Sequence, residues 1–323
     1  MKNRGSVLLI AGLLLGAVFV PEPVSHALPS QGDASSRKAK RGVARPVTVP
    51  VGIKLRGKKP EEIQLLDLNV TEDGEAQSML SIRSIYTNSP MSIAILLQDD
   101  LVSSVSLEVK ALKEFIVKLP KGTRVMIGYI RSGSLEVRQK FTTDLDKAAS
   151  VLRAPLGLAS AAPFNPYVEV LEALSRFDSQ PGGRRSMLVI SDGLDTSRGI
   201  DSSDPGQSVD LQRAINQAQR RATAVYSFYA PGVALASSGN QVLSGNGQSS
   251  LQRLATETGG KAFFQGTGAP VSFNPYLTEL SARLDQQIAL TYLSTHGSKG
   301  FHRLQIRSLT AAVELTYPAG YTR

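Results

Sequence analysis

Between Met91 and Gln287, short unbroken apolar runs alternate with segments whose apolar residues recur at helical spacing. This alternation constrains the chain most, because a strand that is apolar throughout must be covered on both faces, and intervening helices are what cover it. Met91 to Leu97, Ser186 to Ile190 and Ala224 to Tyr229 read as buried strands, with a short one at Lys261 to Phe264. Ser103 or Ser104 is placed to cap a helix that presents Val105, Val109, Leu112, Ile116 and Leu119 on one face and ends at Pro120. Further helices are expected from Thr142 or Thr143 through Leu152, around Tyr167, Leu171, Leu174 and Phe177, and over Gln207–Arg221, Leu251–Glu257 and Pro275–Gln287. Arg124 to Ile130 and Leu135 to Phe141 are joined only by Ser132-Gly133-Ser134, too few residues for a crossover, so they form a hairpin. Residues 231–248, rich in Gly, Ser and Asn, read as a loop. The expected class is α/β: a doubly wound, mostly parallel sheet with one antiparallel edge strand.

Both ends of this region are different. Val47 to Leu55, Leu66 to Val70 and Leu80 to Tyr86 alternate apolar and polar residues, with a turn at Glu72-Asp73-Gly74-Glu75. Ile288 to Ser294, Phe301 to Ile306 and Ala312 to Tyr317 do the same. Each set lacks an apolar partner, so residues 47–87 and 288–323 are expected to pack together as a small β domain beside a domain spanning 88–287.

The first residues have the layout of an export signal. Lys2 and Arg4 precede an uncharged run from Val7 to Val20, and Ser25-His26-Ala27 supplies small residues for cleavage after Ala27. That run is shorter than the roughly 20 residues a membrane span needs. Residues 1–27 are therefore expected to be a signal peptide, leaving an exported chain, periplasmic or extracellular, with no membrane span. Residues 28–46 carry Arg37, Lys38, Lys40, Arg41 and Arg45 against Asp33 alone, and read as a basic, solvated leader. Of the formal charge of +9, +4 sits in this short stretch, and with no basic stripe and few aromatic residues in the rest, nucleic acid is not an expected partner. The sequence contains no Cys, which excludes disulfides, thiolate metal sites and cysteine catalysis.

In a parallel α/β sheet the functional face lies outside the carboxyl ends of the strands. Two acidic clusters fall there: Gln98-Asp99-Asp100 after the first strand and Ser191-Asp192-Gly193-Leu194-Asp195 after a later one. Other chemistry has little support. No Gly-x-Ser-x-Gly elbow is present, and His296 and His302 are expected in a terminal hairpin, at a turn and a half-exposed strand position. Gly245-Asn246-Gly247 lacks a preceding strand and a third glycine, and so is read as loop rather than a phosphate cradle.

The order of elements, together with Leu66-Asp-Leu-Asn-Val-Thr-Glu-Asp-Gly-Glu75, Ile95-Leu-Leu-Gln-Asp-Asp100 and Val189-Ile-Ser-Asp-Gly193, resembles von Willebrand factor type A (VWA) domains. More narrowly, it resembles the exported VWA-related proteins typical of acidobacteria, which carry a β segment with an "EDG" turn before the VWA sheet and one closing on "GY" after it, here Gly320-Tyr321. The resemblance covers roughly 47–323. It implies a metal-ion-dependent adhesion site with ligands from Asp-x-Ser-x-Ser, a later Thr and the Asp of a "(T/S)DG" motif. Asp99, Ser103 and Asp192 match three of these positions. Leu101 replaces the first Ser, and the Thr position falls near Phe164, so the site is degenerate. Asp100 is a possible substitute ligand, with Asp195 behind it. Mg²⁺ or Ca²⁺ is expected to bind weakly if at all, since Mg²⁺ demands near-octahedral oxygen ligation. The implied function is non-catalytic protein binding at the strand ends. The alternatives are a metal-assisted hydrolase using Asp99, Asp100 and Asp192, and a structural component of a cell-envelope assembly.

Overall fold

The computed structural model describes residues 41–55, 67–83, 91–200, 203–264, 266–309 and 313–323, all within one compact unit, Ala39–Arg323. The signal-peptide expectation, the leader up to Lys40 and residues 84–90 lie outside the described residues. Among those described, no helix is long and apolar enough to cross a membrane.

The central sheet contains β4 (Met91–Gln98), β5 (Arg124–Arg131), β6 (Ser134–Thr142), β7 (Arg184–Ser191), β8 (Thr223–Tyr229) and β9 (Ala262–Phe263), in the order β6-β5-β4-β7-β8-β9. Every adjacent pair is parallel except β5 and β6. The β5–β6 turn passes through Gly133 at φ 73°, a left-handed conformation that costs glycine no steric strain. β4 and β8 are buried along their whole length, as strands with covered faces must be.

Helices cover both faces. On one lie α1 (Val105–Val117), α2 (Leu145–Ser150) and α7 (Asn274–Asp285). On the other lie α3 (Pro166–Ser175), α4 (Val209–Arg220) and α6 (Gln241–Glu257). The expected face of α1 is the buried one, with Phe115 added to it. Several caps differ from expectation. Ser104 at the start of α1 makes no side-chain cap bond, and α2 is capped by Asp144 rather than by a threonine.

The expected loop at 231–248 is helical for most of its length, forming α5 (Val233–Ser238) and the first half of α6. Tertiary packing overrides weak propensity here. A Cβ on Gly247 would lie 2.0 Å from the Asp192 carbonyl oxygen, and one on Gly193 would lie 2.5 Å from the Gly247 carbonyl oxygen. These glycines let α6 approach the end of β7.

The second sheet is antiparallel and seven-stranded. It takes β1 (Arg41–Leu55), β2 (Leu68–Glu72) and β3 (Glu75–Arg83) from one side of the sequence, and β10 (Gln287–His296), β11 (Phe301–Ser308), β12 (Val313–Thr316) and β13 (Gly320–Thr322) from the other. Its order is β12-β1-β10-β3-β2-β11-β13. Two expectations are corrected. β1 begins at Arg41, so Arg41 and Arg45 belong to a strand paired with β10 rather than to a leader ending at residue 46. β10 and β11 are not a hairpin, because the β2–β3 hairpin lies between them. That hairpin turns at Asp73 (φ 50°) and Gly74 (φ 87°), the left-handed pair that an Asp-Gly turn supplies.

Candidate functional site

The loops after β4, β5 and β7 meet at the carboxyl edge of the central sheet. A long connection, residues 153–164, is tied across them: Leu156 N–H donates to Asp99 Oδ1 at 3.0 Å, Ser132 N–H to the Ala161 carbonyl at 3.1 Å, and Thr196 N–H to the Phe164 carbonyl at 2.8 Å.

Asp99 is fully buried, and both its oxygens are engaged. Arg153 donates from Nη1 to Oδ1 at 2.6 Å and from Nη2 to Oδ2 at 2.9 Å, while Arg131 Nε lies 3.3 Å from Oδ2. The guanidinium of Arg153 also sits 4.0 Å from the centre of the Tyr129 ring, whose hydroxyl donates to the Arg153 carbonyl at 2.7 Å. A charged, forked donor stacked on an aromatic face is held in one geometry. The hydrogen bonds to Asp99, the largest contribution, raise the Arg153 pKa further above its ordinary value.

Asp100 and Asp192 form a second, separate group around Gln98. Gln98 Nε2 donates to Asp100 Oδ1 at 2.7 Å and to Asp192 Oδ2 at 3.0 Å. Its Oε1 accepts from Ser191 Oγ at 2.5 Å and from the Asp192 N–H at 3.3 Å. Gly232 closes over the pair: a Cβ there would lie 2.6 Å from Asp100 Oδ2 and 2.8 Å from Asp192 Oδ2. Burial, reinforced by the neighbouring Asp100 charge, pushes Asp192 up to about 6. Burial also raises Asp100, against the opposing hydrogen bond from Gln98.

The other sequence candidates lie apart. Leu101 is buried in the core beside α1, paired through its backbone with Gly232. Ser103 is exposed and lines a cleft with Ser106, Leu156 and Val233. The Phe164 side chain is exposed. Asp195 is used locally, accepting from Ser197 and Ser208. Among the described residues, Asp99, Asp100 and Asp192 do not gather as a metal-holding group. The residues present therefore do not fit the octahedral Mg²⁺ of an adhesion site. Asp99 is saturated by guanidinium and backbone donors, two of the three hydroxyl positions hold an alkyl group in the core and a phenyl ring in solvent, and the third, Ser103, is exposed in a cleft. Gln98, adjacent to Asp99, was visible in the sequence. Arg153 carried no local signal there.

A six-stranded sheet in this order, with one antiparallel edge strand, helices on both faces and acidic residues after β4 and β7, has the arrangement the sequence resemblance implies. The fold is the doubly wound α/β arrangement with one antiparallel edge strand that the sequence predicts. No family model and no curated protein matches the chain. Solved structures similar to this chain include the conserved hypothetical protein BatB from Bacteroides thetaiotaomicron, at 12% identity and TM-score 0.43, with 61% of this chain and 97% of that one covered. An aerotolerance-related membrane protein from Bacteroides fragilis is 14% identical, with TM-score 0.42 and coverage of 60% and 98%. A von Willebrand factor type A protein from Catenulispora acidiphila is 10% identical, with TM-score 0.42 and coverage of 80% and 75%.

Proposed function

We propose that this chain is an exported, non-catalytic, protein-binding VWA-type module whose strand-end face works without a cation. The observation that carries the reading is the Arg153–Asp99 clasp: a fixed guanidinium supplies the positive charge next to Asp99 that a divalent ion would otherwise provide. Export rests on the layout of residues 1–27.

Binding is favoured over hydrolysis by the state of the carboxyl groups. Asp100 and Asp192 are 2% and 7% exposed and closed over by Gly232, so no substrate reaches them in this arrangement. The connection over the strand ends instead presents Leu156, Leu158 and Phe164, at 45%, 54% and 68% exposure. Apolar side chains held on an anchored loop, beside a cleft of about 560 Å³, suit a protein surface better than a small substrate.

The test has two arms. Calorimetry with Mg²⁺ and Ca²⁺ should find affinities no better than about millimolar, Ca²⁺ slightly the tighter because its geometry is looser. Capture of a partner from envelope extract should be unchanged by omitting Mg²⁺ and lost in the Leu158→Asp/Phe164→Asp double variant. A micromolar Mg²⁺ isotherm abolished by Asp192→Ala, or capture that requires Mg²⁺, overturns the cation-free reading.

A further inference from the structure

In the antiparallel sheet, four side chains remote in sequence converge where β2 turns into β3. Glu72 ends β2, Asp73 occupies the turn, His296 ends β10 and His302 lies in β11. Glu72 is fully buried, His302 is 3% exposed, and the side chains of His296 and Asp73 are 13% and 37% exposed. The expectation of a turn histidine and a half-exposed strand histidine is thereby corrected: the two rings lie 5.7 Å apart around one carboxylate.

We propose that Glu72, Asp73, His296 and His302 form a binding site for one divalent transition-metal ion of the Zn²⁺ type. Tetrahedral Zn²⁺ with bonds of about 2.0–2.1 Å separates its ligand atoms by about 3.3–3.4 Å. Here His302 Nδ1 lies 3.5 Å from Glu72 Oε1 and 2.8 Å from Asp73 Oδ2, and His296 Nδ1 lies 3.5 Å from Glu72 Oε1. The ligand atoms of Glu72, Asp73 and His302 all fall within 4.8 Å of one another, while His296 stands outside that mutual group, beside Glu72, and would have to swing inward to join the ion. Two imidazoles and two carboxylates are a donor set that Zn²⁺ accepts, and one that hard Mg²⁺ does not favour.

Two further observations point to a ligand. Glu72 Oε2 and His296 Nδ1 are buried polar atoms without a hydrogen-bond partner, which a protein interior rarely tolerates. The surroundings also orient the ligands as a metal's outer shell does. His302 Nε2 lies 3.1 Å from the Ser298 carbonyl, so with its proton there the ring turns a lone pair on Nδ1 toward the carboxylates. Asp73 Oδ1 accepts from Arg303 N–H at 2.8 Å, and Oδ2 meets His302 Nδ1 at 2.8 Å, a hydrogen bond that the ion would replace. Glu72 Oε1 accepts from Tyr321 Oη at 2.9 Å and Ser294 Oγ at 3.0 Å. Asp73 opens the group to solvent on one side and gives the ion a way in.

The ion would act as a cross-link. It ties β2, from the N-terminal strands, to β10 and β11, more than 200 residues later, in a chain with no cysteine to do so. Binding displaces any proton held on the two Nδ1 atoms and releases it to solvent.

The test uses the full chain, stripped with a chelator and dialysed. Titration with Zn²⁺ should show one equivalent bound per chain at micromolar affinity or tighter, with proton release and a higher melting temperature. Co²⁺ should give the visible absorption of a tetrahedral site. His296→Gln and Asp73→Asn, at the outer side of the cluster, should each weaken Zn²⁺ binding about 10- to 100-fold while keeping the native circular dichroism. Asp192→Asn, in the other sheet, should leave it unchanged. Absence of saturable binding by Zn²⁺ and Co²⁺ would mean a purely hydrogen-bonded network and sinks the proposal. So does binding that survives both cluster variants, since the ion is then held elsewhere.

Discussion

The Arg153 guanidinium closes on the buried Asp99 carboxylate with two parallel hydrogen bonds, 2.6 Å and 2.9 Å long. This pairing occupies both Asp99 oxygens, the atoms a cation would need. Removing Arg153 leaves a carboxylate in the interior with only Arg131 and one backbone donor nearby. Arg153→Ala should therefore destabilise the protein by about 2–4 kcal/mol. Arg153→Lys, which keeps the charge but loses the fork, should cost about 1–2 kcal/mol. Urea denaturation measures both. Losses below about 0.5 kcal/mol in each would show that the pair behaves as a solvated surface contact.

Two carboxylates occupy the space that a Cβ on Gly232 would need. Gly232→Ala must displace Asp100 or Asp192 from Gln98, and should cost about 1–3 kcal/mol. An equal cost for Gly245→Ala, where a Cβ meets open space, would contradict this account.

Asp192, raised to about 6, makes stability depend on pH in a definite direction. Its folded pKa exceeds the unfolded value of 3.8, so the native state holds the proton more tightly. The stabilising contribution is complete below about pH 3.8 and is lost as pH rises through about 6. Asp192→Asn removes that dependence. Relative to the parent, the variant should gain about 2–3 kcal/mol between pH 4 and pH 7, read from denaturation at each pH. A stability difference that does not change with pH would show that Asp192 is ionised in the native state throughout.

The α1 face offers a test of packing. Leu112 is fully buried, and Leu112→Ala should cost about 2–5 kcal/mol. Its neighbour Lys113 is only partly covered, and Lys113→Ala should cost under about 0.5 kcal/mol. Equal losses in chemical denaturation would mean that the buried face is wrongly placed.

Local pattern determined much of this architecture. Val105, Val109, Leu112 and Ile116 share a helical face in the sequence and in the fold, with Leu119 buried just past the helix end, since apolar spacing and burial are two expressions of one period. The Ser132-Gly133-Ser134 turn dictated the β5–β6 hairpin, and strand direction placed Asp99 and Asp192 at the carboxyl ends. Tertiary structure alone decided what those residues meet. Arg153 reaches Asp99 across 54 positions, and His302 reaches Asp73 across 229. The insertion of the β2–β3 hairpin between β10 and β11 brings the two histidines around Glu72. Residues 241–248 became helix because Gly247 lets α6 contact the end of β7, although their composition favours a loop. Periodicity records which side of an element is covered. Which charged group it faces depends on chain paths that place distant segments together, and no local spacing carries that information.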